Sequence, residues 1–340
     1  MPRLEKPSRA NATLSRRTVL AGGAALGLVL GAGGCQDQPL TASRTPRLDM
    51  DRLNTGVAEI AERIAPGALG VGLTNLESGE HFSFEGERPF PMAGAFVLPL
   101  AAAVTAEAEA GRLSLDERTV LEAQQLSPPP SAIAEAWPAR RDFTLGELMT
   151  AAVAGDSTAA DVLMKRIGGP GAVTAWLDAK RARGVRVDRY AREVMVERHG
   201  LPSFRPEWRT EAVFQQALAK APQPARLAAL QRYVADPRDT ATPVGMLEFL
   251  GKLGGGELVS RAAGRELIRM IRRGEGRAHL ISTARPDLGI TPALVDVGVF
   301  TLPERRAYAL TIFASGLRLD EQARAKLLAD VAALARSSVG

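Results

Sequence analysis

Apolar residues along the chain change their spacing several times, and those changes mark out the elements. From Asp49 to Ile64 the residues Leu53, Val57, Ile60 and Ile64 recur at helical spacing and fall on one face. Ala68 to Phe84 holds two β-prone runs, LGVGLTNL and HFSFEG, around Glu77-Ser78-Gly79-Glu80, which predicts a hairpin. A helix is expected from just after Pro91 through an Ala-rich stretch to about Ala110, closed by Gly111. The run Ser127-Pro128-Pro129-Pro130 forces an extended connection, because proline fixes its own φ and offers no N–H. Thr144-Leu145-Gly146-Glu147 has the hydroxyl and carboxylate spacing of a capping box and starts a helix to about Ala154. A further helix covers Thr158 to Ile167 and stops at Gly168-Gly169-Pro170. Ala293–Thr301 and Arg306–Ala314 read as strands joined at Leu302-Pro303-Glu304-Arg305, and Asp320 to Ala335 is strongly periodic at helical spacing. Strands from both ends of the chain with helices between them predict one sheet assembled from both termini, with helices packed against it.

The first residues follow another pattern. A basic start (Arg3, Lys6, Arg9, Arg16, Arg17) precedes an apolar run from Val19 to about Gly33, and Gly33-Gly34-Cys35 follows. That is the layout of a secretory signal peptide, and the run is shorter than the roughly 20 residues needed to span a bilayer. Ser15-Arg16-Arg17-Thr18-Val19-Leu20 is similar to the twin-arginine export consensus. Cys35, the only cysteine, stands where a bacterial lipoprotein carries its acylated thiol; a buried thiol is the alternative, since Ala32 occupies the place where such lipoproteins usually have Leu. The expectation is a signal over residues 1–35, a polar tether over 36–48 and a domain over 49–340, exported to the periplasm or another extracytoplasmic space and held at a membrane through Cys35. A single cysteine permits no intrachain disulfide, so the core alone must stabilise the domain.

The formal charge of +5 rests on this segment. Residues 1–35 hold five basic residues and one acidic, leaving 38 basic against 37 acidic in the remainder. The overall basicity is then no argument for nucleic-acid binding, and no nucleic-acid partner is expected.

Six short segments in order carry a resemblance: Arg88-Pro89-Phe90-Pro91-Met92, Gly155-Asp156-Ser157-Thr158-Ala159-Ala160, Ile167-Gly168-Gly169-Pro170, Arg186-Val187-Asp188-Arg189-Tyr190, Arg238-Asp239-Thr240-Ala241-Thr242-Pro243 and Asp296-Val297-Gly298-Val299. Together they resemble the class A serine β-lactamases and related penicillin-binding peptidases over roughly residues 50–338. The resemblance implies an α/β (α+β) fold, a three-layer sandwich with a mostly antiparallel sheet flanked by helices plus a helical lobe. It also implies a serine nucleophile one helical turn before a lysine, positions that fall on Gly94 and Val97. No Ser-x-x-Lys occurs anywhere in the chain. The family's Ser-Asp-Asn loop falls on Gly155-Asp156-Ser157, and its water-activating glutamate on Ala191, with Glu193 two residues further on. Its Lys-Thr/Ser-Gly strand would fall near Thr283–Gly289, which contains Arg285 but no lysine.

Site expectations follow residue by residue. No catalytic group is expected at Gly94, Val97, Gly155 or Ala191. Asp156, Ser157 and Glu193 are expected to line the cleft, with Asp156 read as a structural buried acid. Arg189 and Asp239 match the pair that pins a loop in the family, and the long insert between them, about residues 196–235, is expected to cover or reshape the mouth of the cleft. His81, His199 and His279 lack metal-ligand spacing, and neither metal nor cofactor is expected. Gly254-Gly255-Gly256 reads as a turn, and Arg272–Arg277 as a solvated helix end. Two functional readings stay open: a catalytically silent relative binding a peptidoglycan fragment, a β-lactam-like ligand or an envelope protein partner, and a hydrolase of β-lactams using residues such as Ser157 or Glu193.

Overall fold

The computed structural model describes residues 47–270, 288–303 and 306–339. It opens with α1 (Met50–Arg63), capped by the Asp49 carboxylate, which accepts from the Arg52 N–H at 3.0 Å. The hairpin β1 (Ala68–Asn75) and β2 (His81–Phe84) follows as expected. After the two-residue strand β3 (Phe90–Pro91), the chain passes through a 3₁₀ turn at Ala93–Phe96 before α2 (Val97–Glu109) begins. The expected helix therefore starts later than Pro91 allows, because Ala93 adopts a φ of 47° that no α-helix tolerates.

β4 (Arg118–Val120) and β5 (Asp142–Thr144) form a short ladder on either side of α3 (Ala132–Ala136). The helical lobe continues through α4 (Leu145–Val153), α5 (Ser157–Arg166) and α6 (Pro170–Ala179). Thr144 and Glu147 make both bonds of the capping box, and Pro170 opens α6 at its first position, where its missing N–H costs nothing. The insert is helical: α7 (Ala191–Arg198), a 3₁₀ turn, α8 (Glu211–Lys220) and α9 (Gln223–Ala235). β6 (Thr240–Ala241) returns to pair with β3. Then come α10 (Pro243–Gly255), α11 (Arg261–Met270), β7 (Thr291–Thr301), β8 (Ala307–Leu317) and α12 (Glu321–Ser337). Of the three glycines expected to form a turn, Gly254 and Gly255 still belong to α10, and only Gly256 lies beyond it, taking the left-handed conformation (φ 85°) that closes the helix.

The main sheet has the order β2-β1-β8-β7 with antiparallel pairing throughout. Both of its faces are covered, which makes three layers. Leu69, Val71 and Leu73 of β1, with Tyr308, Leu310 and Ile312 of β8, pack on the apolar stripes of α1 and α12. On the other face, Ala309 and Phe313 of β8 and Val295 and Val297 of β7 join the core formed by α2, α4, α5, α6 and α10. The period-two alternation of strands thus feeds two separate cores. Gly70 and Gly72 allow close approach on the second face: a Cβ at Gly72 would lie 2.7 Å from the Leu247 side chain of α10. No helix among the described residues is long and apolar enough to cross a membrane. Residues 1–46, with Cys35, fall outside the described residues, as do Thr283–Asp287, Arg272–Arg277 and His279.

Candidate functional site

A cleft of about 300 Å³ opens where the 3₁₀ turn before α2, the α4–α5 turn and the insert meet. Gly94, Val97, Gly155, Asp156, Ser157, Arg189, Ala191 and Asp239 all line it, so segments far apart in sequence converge on one cavity. Ala93, beside Gly94, holds its left-handed backbone at the cleft edge, a strain of the order of 1 kcal/mol that the surrounding core must sustain.

Asp156 is 8% exposed and caps α5. Its Oδ1 accepts from the Ala159 N–H and the Ser131 hydroxyl, both at 2.9 Å, and its Oδ2 accepts from the Ile133 N–H at 2.9 Å. Both oxygens are committed to holding the α3–α5 junction. The Ser157 hydroxyl donates to the Pro128 carbonyl, an acceptor that cannot take its proton as a base. Glu193, expected at the cleft, turns elsewhere: its Oε2 accepts from the Tyr190 N–H at 2.9 Å and caps the start of α7. A carboxylate three residues into a helix reaches back to that donor more readily than it crosses to a cavity wall.

The paired residues at the insert's base meet as the sequence suggests. Arg189, 6% exposed, donates through Nε to Asp239 Oδ2 at 2.6 Å and through Nη1 to Asp236 and Glu197. Asp239 Oδ1 also accepts from the Asp188 and Arg189 N–H groups. Arg238 bonds Asp236 as well, and this hydrogen bond holds the Asp236 carboxyl below the usual range against the opposing effect of burial. Burial raises Asp188, but the Arg186 hydrogen bond and the Asp239 N–H outweigh it, and the net shift is downward.

Sequence reasoning missed several groups. Asp161 is 1% exposed on α5, accepts from the Ala191 N–H at 2.6 Å, the Arg192 N–H at 3.0 Å and the Ser127 hydroxyl at 2.6 Å, and pairs with Arg192 Nε at 3.2 Å. It anchors α7 to the helical lobe, and burial pushes its carboxyl up despite these donors. An acid inside the apolar helical run Thr158–Met164 was the available signal. From α7 and α9, Val194, Met195, Arg198 and Tyr233 also line the cleft. Burial pushes the Tyr233 phenol up, against the opposing pull of the Arg198 guanidinium. Among the described lining residues there is no lysine, histidine or glutamate. Ser157 therefore has no neighbouring base within the described lining, and the carboxylates present, Asp156 and Asp239, are already occupied.

Comparison with known proteins matches residues 52–339 to the model of the beta-lactamase enzyme family. The chain is 24% identical over 266 residues to beta-lactamase VEB-1 of Pseudomonas aeruginosa, covering 78% of this chain and 83% of that protein. It is 31% identical over 208 residues to beta-lactamase L2 of Stenotrophomonas maltophilia, covering 61% and 56%. Among solved structures, an ancestral (GNCA) class A beta-lactamase superposes with a TM-score of 0.64 at 26% identity, covering 84% of this chain and 99% of that one. A beta-lactamase from Chitinophaga pinensis shares the fold with a TM-score of 0.65 at 23% identity, covering 83% and 97%. With a family match over nearly the whole described domain and a three-layer architecture that superposes on class A structures, the chain belongs to the beta-lactamase enzyme family and has the class A fold.

Proposed function

We propose that this family member binds a ligand in its cleft without hydrolysing it, and that it does so outside the cytoplasm, tethered to a membrane through acylated Cys35. The observation that carries the reading is the chemistry of the lining. Acyl transfer needs a nucleophile within hydrogen-bond reach of a base, and then a group that activates water. Gly94, Val97, Gly155 and Ala191 occupy the positions that the family resemblance assigns to those groups, and none has a side chain able to serve. The export signal and Cys35 support the tether, and the residues between Cys35 and the bridged Leu48 give it reach.

Incubation with a fluorescent penicillin, followed by denaturing electrophoresis, is expected to give no covalent adduct, and a chromogenic cephalosporin is expected to turn over no faster than with heat-denatured protein. An adduct abolished by Ser157→Ala would overturn the proposal in favour of a hydrolase with a relocated nucleophile. Fractionation tests the tether: the chain is expected in the membrane fraction, and Cys35→Ser is expected to move it to the soluble fraction.

A further inference from the structure

One edge of the Arg189 guanidinium is only half used. Elsewhere in the domain an arginine presents Nε and Nη2, the two donors on one edge of its plane, to both oxygens of a single carboxylate. Arg112 does so to Glu107, Arg166 to Glu117 and Arg186 to Asp188. Arg189 departs from that arrangement. Its Nε donates to Asp239 Oδ2 at 2.6 Å, but Asp239 Oδ1 is taken by the Asp188 and Arg189 N–H groups, at 2.7 and 3.1 Å, and is not offered to Nη2. Nη1, at the far side of the plane, bonds Asp236 and Glu197, neither of which lines the cleft. Nη2 is left buried and without a hydrogen-bond partner on the edge it shares with Nε, the edge turned to Asp239, and both Arg189 and Asp239 line the cleft.

The pair sets a donor and an acceptor side by side. Asp239 Oδ2 is neutralised as a base by its bond to Nε, yet a carboxylate oxygen has two lone pairs and Nε takes one. A hydroxyl seated there accepts from Nη2 through its oxygen and donates its proton to Oδ2, so a single uncharged group fills both positions. A carboxylate would also accept from Nη2, but it would bring a second negative charge against Asp239 where burial limits screening. A plain hydrocarbon would leave the donor unfilled. A hydrogen bond to a charged partner raises affinity about tenfold or more. Phe96, Val97, Val153 and Val194 add apolar wall, and the 300 Å³ of the cleft is twice the roughly 150 Å³ of a cavity that accommodates benzene.

We infer that Arg189 Nη2 and Asp239 Oδ2 together hold a hydroxyl group, and that the cleft takes an alcohol whose ring-sized body lies on the apolar walls. The inference rests on the reading of the same site as a binding cleft without hydrolysis, and it names the group that the site recognises. Arg189 and Asp239 then have two duties: they join the ends of a loop, and the edge left over from that bond reads the ligand.

The test compares 4-fluorobenzyl alcohol, 4-fluorotoluene and 4-fluorobenzoate by ¹⁹F NMR line broadening, with the full chain carrying Cys35→Ser so that no detergent competes for the probes. The alcohol is expected to bind saturably and at least tenfold more tightly than either of the others. Gly94→Leu, which drives a side chain into the open space beside Gly94, is expected to weaken the alcohol at least tenfold and so locate it in the cleft. Asp239→Asn, with folding checked by circular dichroism, removes the charge that opposes the benzoate and is expected to bring alcohol and benzoate within about threefold of each other. A merely structural role for Asp239 would not move that ratio. Should Asp239→Asn fail to fold, the ranking of the three probes on the Cys35→Ser chain and the effect of Gly94→Leu decide. No saturable binding of the alcohol, toluene or benzoate binding as tightly as the alcohol, alcohol binding untouched by Gly94→Leu, or an unchanged ratio in folded Asp239→Asn would overturn the inference. The two levels separate: cephalosporin turnover defeats the non-hydrolytic reading, whereas no turnover with no preference for the alcohol defeats the hydroxyl assignment alone.

Discussion

Two sets of residues along the cleft are built on opposite principles. In the charged set, Arg189, Asp236, Asp239 and Glu197 form a network with several bonds per group. Asp156 serves three donors at the α4–α5 turn. In the apolar set, Gly94, Val97, Gly155 and Ala191 present small apolar surface and no side-chain hydrogen bond. The charged set holds segments in place, and the apolar set asks for nothing polar in return. Position and chemistry are thus separable in this fold: the network that fixes the segments does not depend on what the neighbouring apolar positions carry.

The comparison breaks most visibly at Arg189. Arg189→Ala leaves the buried Asp239 carboxylate without its cation and takes one of two arginines from Asp236, and urea unfolding is expected to show a loss of about 3–5 kcal/mol. Asp156→Ala removes a helix cap and strands the Ile133 N–H, while the Ser131 hydroxyl keeps Thr158 Oγ1, with an expected loss of about 2–3 kcal/mol in the same measurement.

Titration sharpens the contrast within the carboxylates. Asp236 and Asp188 are held low, so their contribution is present above the ordinary carboxylate pKa and is lost as pH falls through the depressed folded value. Asp236→Asn is expected to flatten the acid limb of the unfolding midpoint followed from about pH 2 to pH 7. Asp161 has the opposite sign. Its folded pKa is raised, so its contribution is full below the ordinary value and fades as pH climbs through the raised one; Asp161→Asn is expected to remove that decline.

The apolar set is expected to respond least. Gly94→Ala adds a methyl to open space and restricts the unfolded chain, so stability is expected to change by no more than about 0.5–1 kcal/mol, in the stabilising direction. A large loss there would mean that the apolar set is as tightly specified as the charged one.

What the sequence made legible was local. The α1 stripe, the hairpin of β1 and β2, the Thr144 capping box and the α12 periodicity each depend on neighbours a few residues apart, and each lies where the pattern placed it. The β3–β6 and β4–β5 ladders went unread because strands of two or three residues carry no period, and their partners are set by the packing of whole helices. The Arg189–Asp239 pair was readable only through the family resemblance. Glu193 was misplaced because a capping bond three residues away competes better than a cavity wall. Tyr233 and Asp161 were hidden for another reason: what matters about each is its surroundings in space, and nothing in the adjacent residues states them.

Leu48 bridges to Val339 in antiparallel register, and the Asp49 N–H donates to the Ser338 carbonyl at 2.8 Å. The strand of chain that enters the domain is therefore stitched to the strand that leaves it. The entering chain is thus fixed on the α1–α12 side of the sheet, whereas Val97 and Ala160 beside the cleft belong to the core on its other face, so a load at Leu48 is received on the layer away from the pocket.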